Sequence, residues 1–454
     1  MSTAAYLAPD AIRALFAHAL SEMYRAEVPQ YGTLLELVSD INHARQAAAS
    51  AQGQASDGQR LGVERHGAIR LGAAQELHTM RRLFDVMGMS PVGYYDLSAA
   101  GLPVHATAFR PVDNASLAVN PFRVFTSLLR LELIEDEALR SRAREVLARR
   151  SIFTPRCVAL IEQAEREGGL NEQDAAEFVA QALETFRWHS EATVDLDTYR
   201  QLRAAHPLIA DVVCFKGPHI NHLTPRVLDI DEAQAEMNRR QMRVKASIEG
   251  PPRRAVPILL RQTSFLALEE SIAFVSGNGE KAPGTHTARF GEIEQRGCAL
   301  TPKGRALYDR LLAEARASDA PDALQAAFRA FPDDLHTLYR QGLIYVTYQA
   351  GAQARDEAPV DADDIQALVD GGWLEVAPLV YEDFLPVSAA GIFQSNLGTQ
   401  GPGAFADGGS RDAFEAALGA PVCGEFALYE KCQADSLAVA LTALGFRQAQ
   451  GQLA

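Results

Sequence analysis

Behind Pro9-Asp10, the segment AIRALFAHALSEMY repeats apolar residues every three or four positions, which predicts an amphipathic helix. A second helix is expected from Tyr31 to about Ala48, and residues 49–60, small and polar, form a loop. VERHGAIRLG follows, then AAQELHTMRRLFDVMGM, an amphipathic helix ending near Gly88. PVGYYDLSAAGLPVHATAFRPV mixes aromatic and β-branched residues with Gly and Pro, the texture of short strands and turns. From about Asn120 to Ala205 the pattern is helical, with Thr154-Pro155 opening one helix and Asn171 capping another. Strand texture returns after His206 in DVVCFKGPHINHLTPRVLDI, then a helix over DEAQAEMNRRQMRV, then RAVPILLRQTSFLAL and HTARFGEIEQRGCAL. LTPKGRALYDRLLAEA is a helix with a Thr-Pro start, and residues 320–454 mix helices with a few strands.

This order divides the chain into four stretches. Residues 1–120 carry N-terminal helices and a first module, 121–205 a helical insertion, 206–300 a second module, and 301–454 a mixed α/β region covering the site. A length of 454 residues suits two or three domains at roughly 100–200 residues each. The composition, 47% apolar and 22% charged, is that of a folded chain. A net charge of −15 argues against nucleic acid as a partner, since phosphate binding needs clustered Lys and Arg. No apolar run reaches the ~18 residues of a spanning helix, so no membrane partner is expected. MSTAAYLAPDAIRALF lacks the basic and apolar regions of a secretory leader, and a cytoplasmic protein is expected. The five scattered cysteines show no CxxC spacing and read as reduced, mostly buried thiols rather than zinc ligands. The Gly-rich LGTQGPGAFADGGS lacks the Lys-Ser/Thr ending of a phosphate cradle and reads as a loop.

The informative chemistry is an internal echo. His66-Gly-Ala-Ile-Arg70 and His222-Leu-Thr-Pro-Arg226 are both H-x-x-x-R, each after a loop and before a helix. His219 and His222 could share a metal on a helix, but Gly217-Pro218 and Pro225 argue against one. On a strand they face opposite sides, so one of them is the candidate ligand, and His222 matches His66. Two imidazoles and a carboxylate form a facial triad that leaves open positions on Fe(II). RFGEIEQRG offers Glu292 and Glu294, which period two places on one strand face, either coordinating or simply wet. Arg70 and Arg226 each present a planar fork that suits a carboxylate, or else an exposed salt bridge.

Together HGAIR, HINHLTPR, LLRQTSFLALEE and RFGEIEQRG resemble the 2-oxoadipate dioxygenase/decarboxylase family, over nearly the whole chain. That family is distantly similar to 4-hydroxyphenylpyruvate dioxygenase. The resemblance implies an α+β fold with a vicinal-oxygen-chelate core of paired βαβββ modules, a large helical insertion and a mixed C-terminal region. It implies that His66, His222 and Glu292 bind Fe(II), with Glu294 the fallback ligand. Arg70 is then the catalytic and substrate-binding residue that contacts a substrate carboxylate, and Val387-Ser388 approaches the substrate from the C-terminal region. The implied partners are a 2-oxo dicarboxylic acid and dioxygen. The implied reaction turns 2-oxoadipate into 2-hydroxyglutarate and CO2 in lysine breakdown. Alternatives are another 2-oxo acid, a glyoxalase-like metal isomerase, which often needs four protein ligands, or a binding protein with an inactive metal site.

Overall fold

The structure, a computed structural model, describes residues 5–51, 58–275, 279–318, 320, 322–352, 364–385 and 411–446. The N-terminal periodicity becomes α1 (Pro9–Glu27) and α2 (Pro29–Ala51), whose buried stripes include Phe16, Leu20 and Tyr24, and Tyr31, Leu34 and Leu37. The short α3 (Gly58–Val63) leads into β1 (Arg65–Leu71). Next come α4 (Ala74–Asp85), β2 (Ser90–Asp96), β3 (Val104–Arg110), α5 (Asn114–Val119) and β4 (Arg123–Leu129). β1 pairs in parallel with β4, and β3 lies antiparallel between β4 and β2. The boundary expected after residue 120 therefore falls inside this sheet. β4 (RVFTSLL) is a strand within the stretch expected to be helical, and it is buried along its whole length. Such a strand shows no in–out alternation by which to recognise it.

The helical stretch that follows holds α6 (Glu137–Ala148), α7 (Pro155–Glu167) and α8 (Glu172–Phe186). Its caps are those the sequence suggested. Thr154 accepts from the Cys157 amide with Pro155 at the first turn, and Asn171 accepts from the Asp174 amide. β5 (Glu191–Ala192), α9 (Leu196–Ala205) and α10 (Pro207–Val213) lead to β6 (Leu223–Pro225).

β6 pairs antiparallel with β1, so the strand order of this sheet is β2-β3-β4-β1-β6. After α11 (Ile230–Arg239), β7 (Leu260–Ser264) is followed by β8 (Glu269–Val275), β9 (Lys281–Thr287) and β10 (Glu292–Arg296). β7 neighbours β10, and single antiparallel bridges join Val244 to Phe265 and Glu249 to Gln262. A parallel bridge from Arg226 to Glu294 links the end of β6 to β10. β8 and β9 form a hairpin in a separate three-stranded sheet with β5. The core runs through these layers and includes Phe84, Phe109, Phe122, Phe186, Phe265 and Phe290.

The chain forms two units. One comprises Met1–Glu249, Arg261–Gln295 and Asp383–Cys423, and the other Gly250–Leu260, Arg296–Glu382 and Gly424–Ala454. The region from residue 301 is thus not a single block, because Asp383–Cys423 groups with the earlier residues. The second unit contains α12 (Pro302–Arg316), α13 (Ala323–Ala327), α14 (Leu335–Arg340) and the antiparallel pair β11 (Val346–Ala350) and β12 (Leu374–Pro378). α15 (Ile365–Asp370) precedes β12. Thr301 caps α12 by accepting from the Gly304 amide. Among the described residues no helix is long and apolar enough to cross a membrane. All five cysteines are free thiols, and burial pushes those of Cys157 and Cys298 up to about 12. The Gly-rich loop at 397–410 lies outside the described residues.

Candidate metal centre

Strand pairing brings distant histidines together. In the β1–β6 register His66 faces Thr224, which sets His222 beside it, two residues upstream. Close approach of the two segments requires a glycine. A Cβ on Gly67 would sit 2.5 Å from Ile220 Cδ1, and one on Gly291 would sit 2.0 Å from the Phe265 ring. Those are the glycines of HGAIR and FGEIE.

His66, His222 and Glu292 each offer a ligand atom, and these atoms lie within 4.8 Å of one another. All three side chains are buried. His66 Nε2 is 2.9 Å and His222 Nε2 3.8 Å from Oε1 of Glu292. The two rings meet edge to face with centroids 5.4 Å apart. Phe384 packs edge-on against His66 and Phe290 lies tilted on His222, at 5.0 and 4.8 Å between centroids. Thr224 Oγ1 and Gln262 Nε2 both donate to Oε1 of Glu292, at 3.0 and 2.9 Å. Its Oε2 is buried and has no hydrogen-bond partner among the described residues, and the same holds for Nδ1 of His222. Bare polar atoms in a dry site cost free energy unless something satisfies them, and these donors suit a divalent cation.

Both candidate glutamates are buried, so the wet-face reading of β10 does not hold. They do different things. Glu294 Oε2 lies 2.9 Å from Nδ1 of His66, on the opposite side of the ring from Glu292. Burial alone would lower the His66 pKa, but Glu294 and Glu292 outweigh it and hold that imidazole above its ordinary value. Burial pushes His222 down to about 4, leaving it neutral. For Glu292 burial acts upward, yet His222 and His66 prevail and keep it below the usual carboxylate range.

His219 is turned away from this cluster. It has φ +22° and its Nε2 lies 3.3 Å from Asp211, which also pairs with Arg70. Arg70 is buried on β1, four residues from His66 and so on the same face of the strand. Arg226 is not an exposed salt bridge. β6 ends at Pro225, and Arg226 is buried against Glu64 at 3.0 Å. Glu64 also takes Arg123 at 2.9 Å. Val387 and Ser388 lie outside the described residues. Sequence reasoning missed Thr224, Gln262, Phe384 and Asp211. Neither Gln262 nor Asp211 had a pattern to flag it: β7 is buried along its whole length, and Asp211 stands alone within the apolar PLIADVV.

The family model described as 2-oxoadipate dioxygenase/decarboxylase matches residues 16–396. The chain belongs to the 2-oxoadipate dioxygenase/decarboxylase family. A family member of that name from Escherichia coli K12 is 58% identical over 434 residues, covering 93% of this chain and 96% of its own. One from Pseudomonas putida is 56% identical over 457 residues, with coverage of 97% and 98%. A crystal structure of the hydroxyglutarate synthase from Pseudomonas putida in complex with 2-oxoadipate shares 54% identity and a TM-score of 0.87, covering 97% of this chain and 99% of that one. The matched span of the 2-oxoadipate dioxygenase/decarboxylase family includes His66, Arg70, His222 and Glu292.

Proposed function

We propose that this protein is an Fe(II)-dependent dioxygenase that converts 2-oxoadipate and dioxygen into 2-hydroxyglutarate and CO2, a cytoplasmic step of lysine breakdown. The observation that carries it is the buried convergence of His66, His222 and Glu292, with an unsatisfied carboxylate oxygen. The relatives named for this reaction support the choice of substrate. The bound metal would supply chelation of the 2-oxo acid and activation of dioxygen.

The chain's own residues do the rest. His66, His222 and Glu292 hold the metal, and Thr224 and Gln262 fix the carboxylate that faces it. Glu294 orients the His66 ring from its far nitrogen. Phe384, Phe290 and the phenylalanine Phe125 packed on Phe384 keep bulk water from the donors. Arg70 holds the distal carboxylate of the diacid, which would fix chain length, because a substrate one methylene shorter could not reach both ends.

The core is a vicinal-oxygen-chelate pair of βαβββ modules. Supporting this, β1-α4-β2-β3-β4 has that order with the short α5 between its last two strands, and β6-α11 followed by residues 244–249, β7 and β10 repeats it around the inserted β8–β9 hairpin. A glyoxalase-like isomerase would neither consume oxygen nor release CO2. The deciding experiment incubates Fe(II)-loaded protein with C5 to C7 2-oxo diacids under air and identifies the products by mass spectrometry. The expected result is 2-hydroxyglutarate from the C6 acid alone; no CO2 from 2-oxoadipate would end this reading.

A further inference from the structure

Asp211 on α10 lies at the centre of a buried polar cluster of which the reaction above uses only Arg70. Oδ2 accepts from Arg70 Nη1. Oδ1 lies 2.9 Å from His286 Nε2 and 3.3 Å from His219 Nε2. His286 Nδ1 in turn meets the Tyr199 hydroxyl at 3.0 Å. With its side-chain amide turned to the orientation that suits its neighbours, Asn221 accepts through its oxygen from Arg70 Nη1 at 2.9 Å and His219 Nε2 at 3.2 Å, and donates through its nitrogen to the Ala68 carbonyl at 3.2 Å. The elements involved are far apart in sequence. Arg70 comes from β1, Asp211 from α10, His286 from β9 and Tyr199 from α9. Trp188 closes the cluster, its ring 4.7 Å from that of His219.

Two features separate this from an ordinary core ion pair. First, Arg70 shares its strand face with His66, so the cluster lies on the same side of β1 as the candidate metal centre. Second, His219 takes positive φ without being glycine, a conformation that persists only where its surroundings over-determine it. The contacts that hold it are Asp211 and Asn221, the same two that hold Arg70. A flexible arginine fixed in this way keeps its Nη1 committed to the protein, and its orientation is set before any ligand arrives.

We propose that Asp211 is the positioning residue for Arg70, and that His219 and His286 hold Asp211 in place for this task. The proposal rests on the reading that Arg70 receives the distal carboxylate of a 2-oxo diacid. Asp211 then governs discrimination between 2-oxo diacids and monoacids while leaving the metal untouched. A group that only stabilised the fold would lower turnover of both acids together.

The test compares 2-oxoadipate with 2-oxohexanoate, which has the same chain length but no distal carboxylate, on Fe(II)-loaded wild type, Arg70→Lys, Asp211→Asn, Asp211→Glu and His286→Gln. Iron content and 2-oxoadipate binding by anaerobic calorimetry are measured alongside. The expected result for Asp211→Asn is a loss of about tenfold or more in kcat/KM for the diacid, carried by KM, at unchanged iron content. The monoacid changes by less than about twofold, and Asp211→Glu recovers part of the loss. His286→Gln, a milder change, moves the same ratio by about threefold and carries the test if Asp211→Asn does not fold. Equal losses on both acids, or an unchanged diacid, overturn the proposal. If wild type and Arg70→Lys discriminate as expected and neither Asp211→Asn nor His286→Gln alters the ratio, Asp211 alone is misassigned. If wild type does not turn over 2-oxoadipate at all, the reading of Arg70 falls and this proposal with it.

Discussion

Glu64 and Glu292 are both fully buried carboxylates beside β1, and the chain treats their charges differently. Glu64 meets Arg123 at 2.9 Å, Arg226 at 3.0 Å and Arg60 at 3.3 Å, all permanent cations. Glu292 meets a hydroxyl, an amide and two imidazoles, and among the described residues no Lys or Arg pairs with it. A buried charge is costly unless paired, so the first site is complete within the protein and the second asks for a cation from outside. Counting acidic residues would not separate the two; the nature of their partners does.

The largest effect that could break this contrast is loss of the Glu292 charge. Glu292→Gln, His66→Ala or His222→Ala is expected to lower turnover of 2-oxoadipate by at least about a thousandfold, measured as CO2 release, with iron lost at the same time. Glu64→Gln should do the reverse. It leaves buried guanidiniums facing an amide, with an expected loss of about 3–5 kcal/mol in urea unfolding, while iron still binds the folded fraction. Retained stability in that variant would mean that Glu64 is not the counter-charge described here.

A smaller effect is expected for Glu294. Glu294→Gln should weaken iron about 10–100-fold in a chelator competition, without abolishing binding, because it acts through Nδ1 of His66. Total loss of iron would instead make it a ligand. The smallest effect follows from a buried group that refuses charge. Burial, aided by Arg130, pushes His105 down to about 4, so the folded state stays neutral where the unfolded chain takes up a proton near 6.5. Its contribution to stability is therefore full above pH 6.5 and declines as pH falls toward 4. Between pH 7 and 5 wild type should lose about 2 kcal/mol more than His105→Gln in urea unfolding. An equal loss in both would contradict the assignment.

Much of the centre could be read in advance because it follows from local pattern. The two H-x-x-x-R segments end up in paired strands, and period two put Glu292 and Glu294 on one face. That period could not separate the two glutamates, since both are buried and both reach His66, on opposite ring nitrogens. Arg226 misled for a related reason. Its spacing copies that of Arg70, but β1 continues as a strand through Leu71 whereas β6 stops at Pro225, and the two arginines meet different carboxylates, Asp211 and Glu64. Asp211 carried no signal at all. Its partner Arg70 is 141 residues away, and a single acid in an apolar helix turn looks the same whether it is exposed or buried.

The most direct test of the central claim is the iron content of three proteins, each loaded with Fe(II) under anaerobic conditions, desalted and assayed for metal. The account predicts one iron per folded chain in wild type and in Glu64→Gln, and none in Glu292→Gln. Iron retained at wild-type level in Glu292→Gln would contradict it.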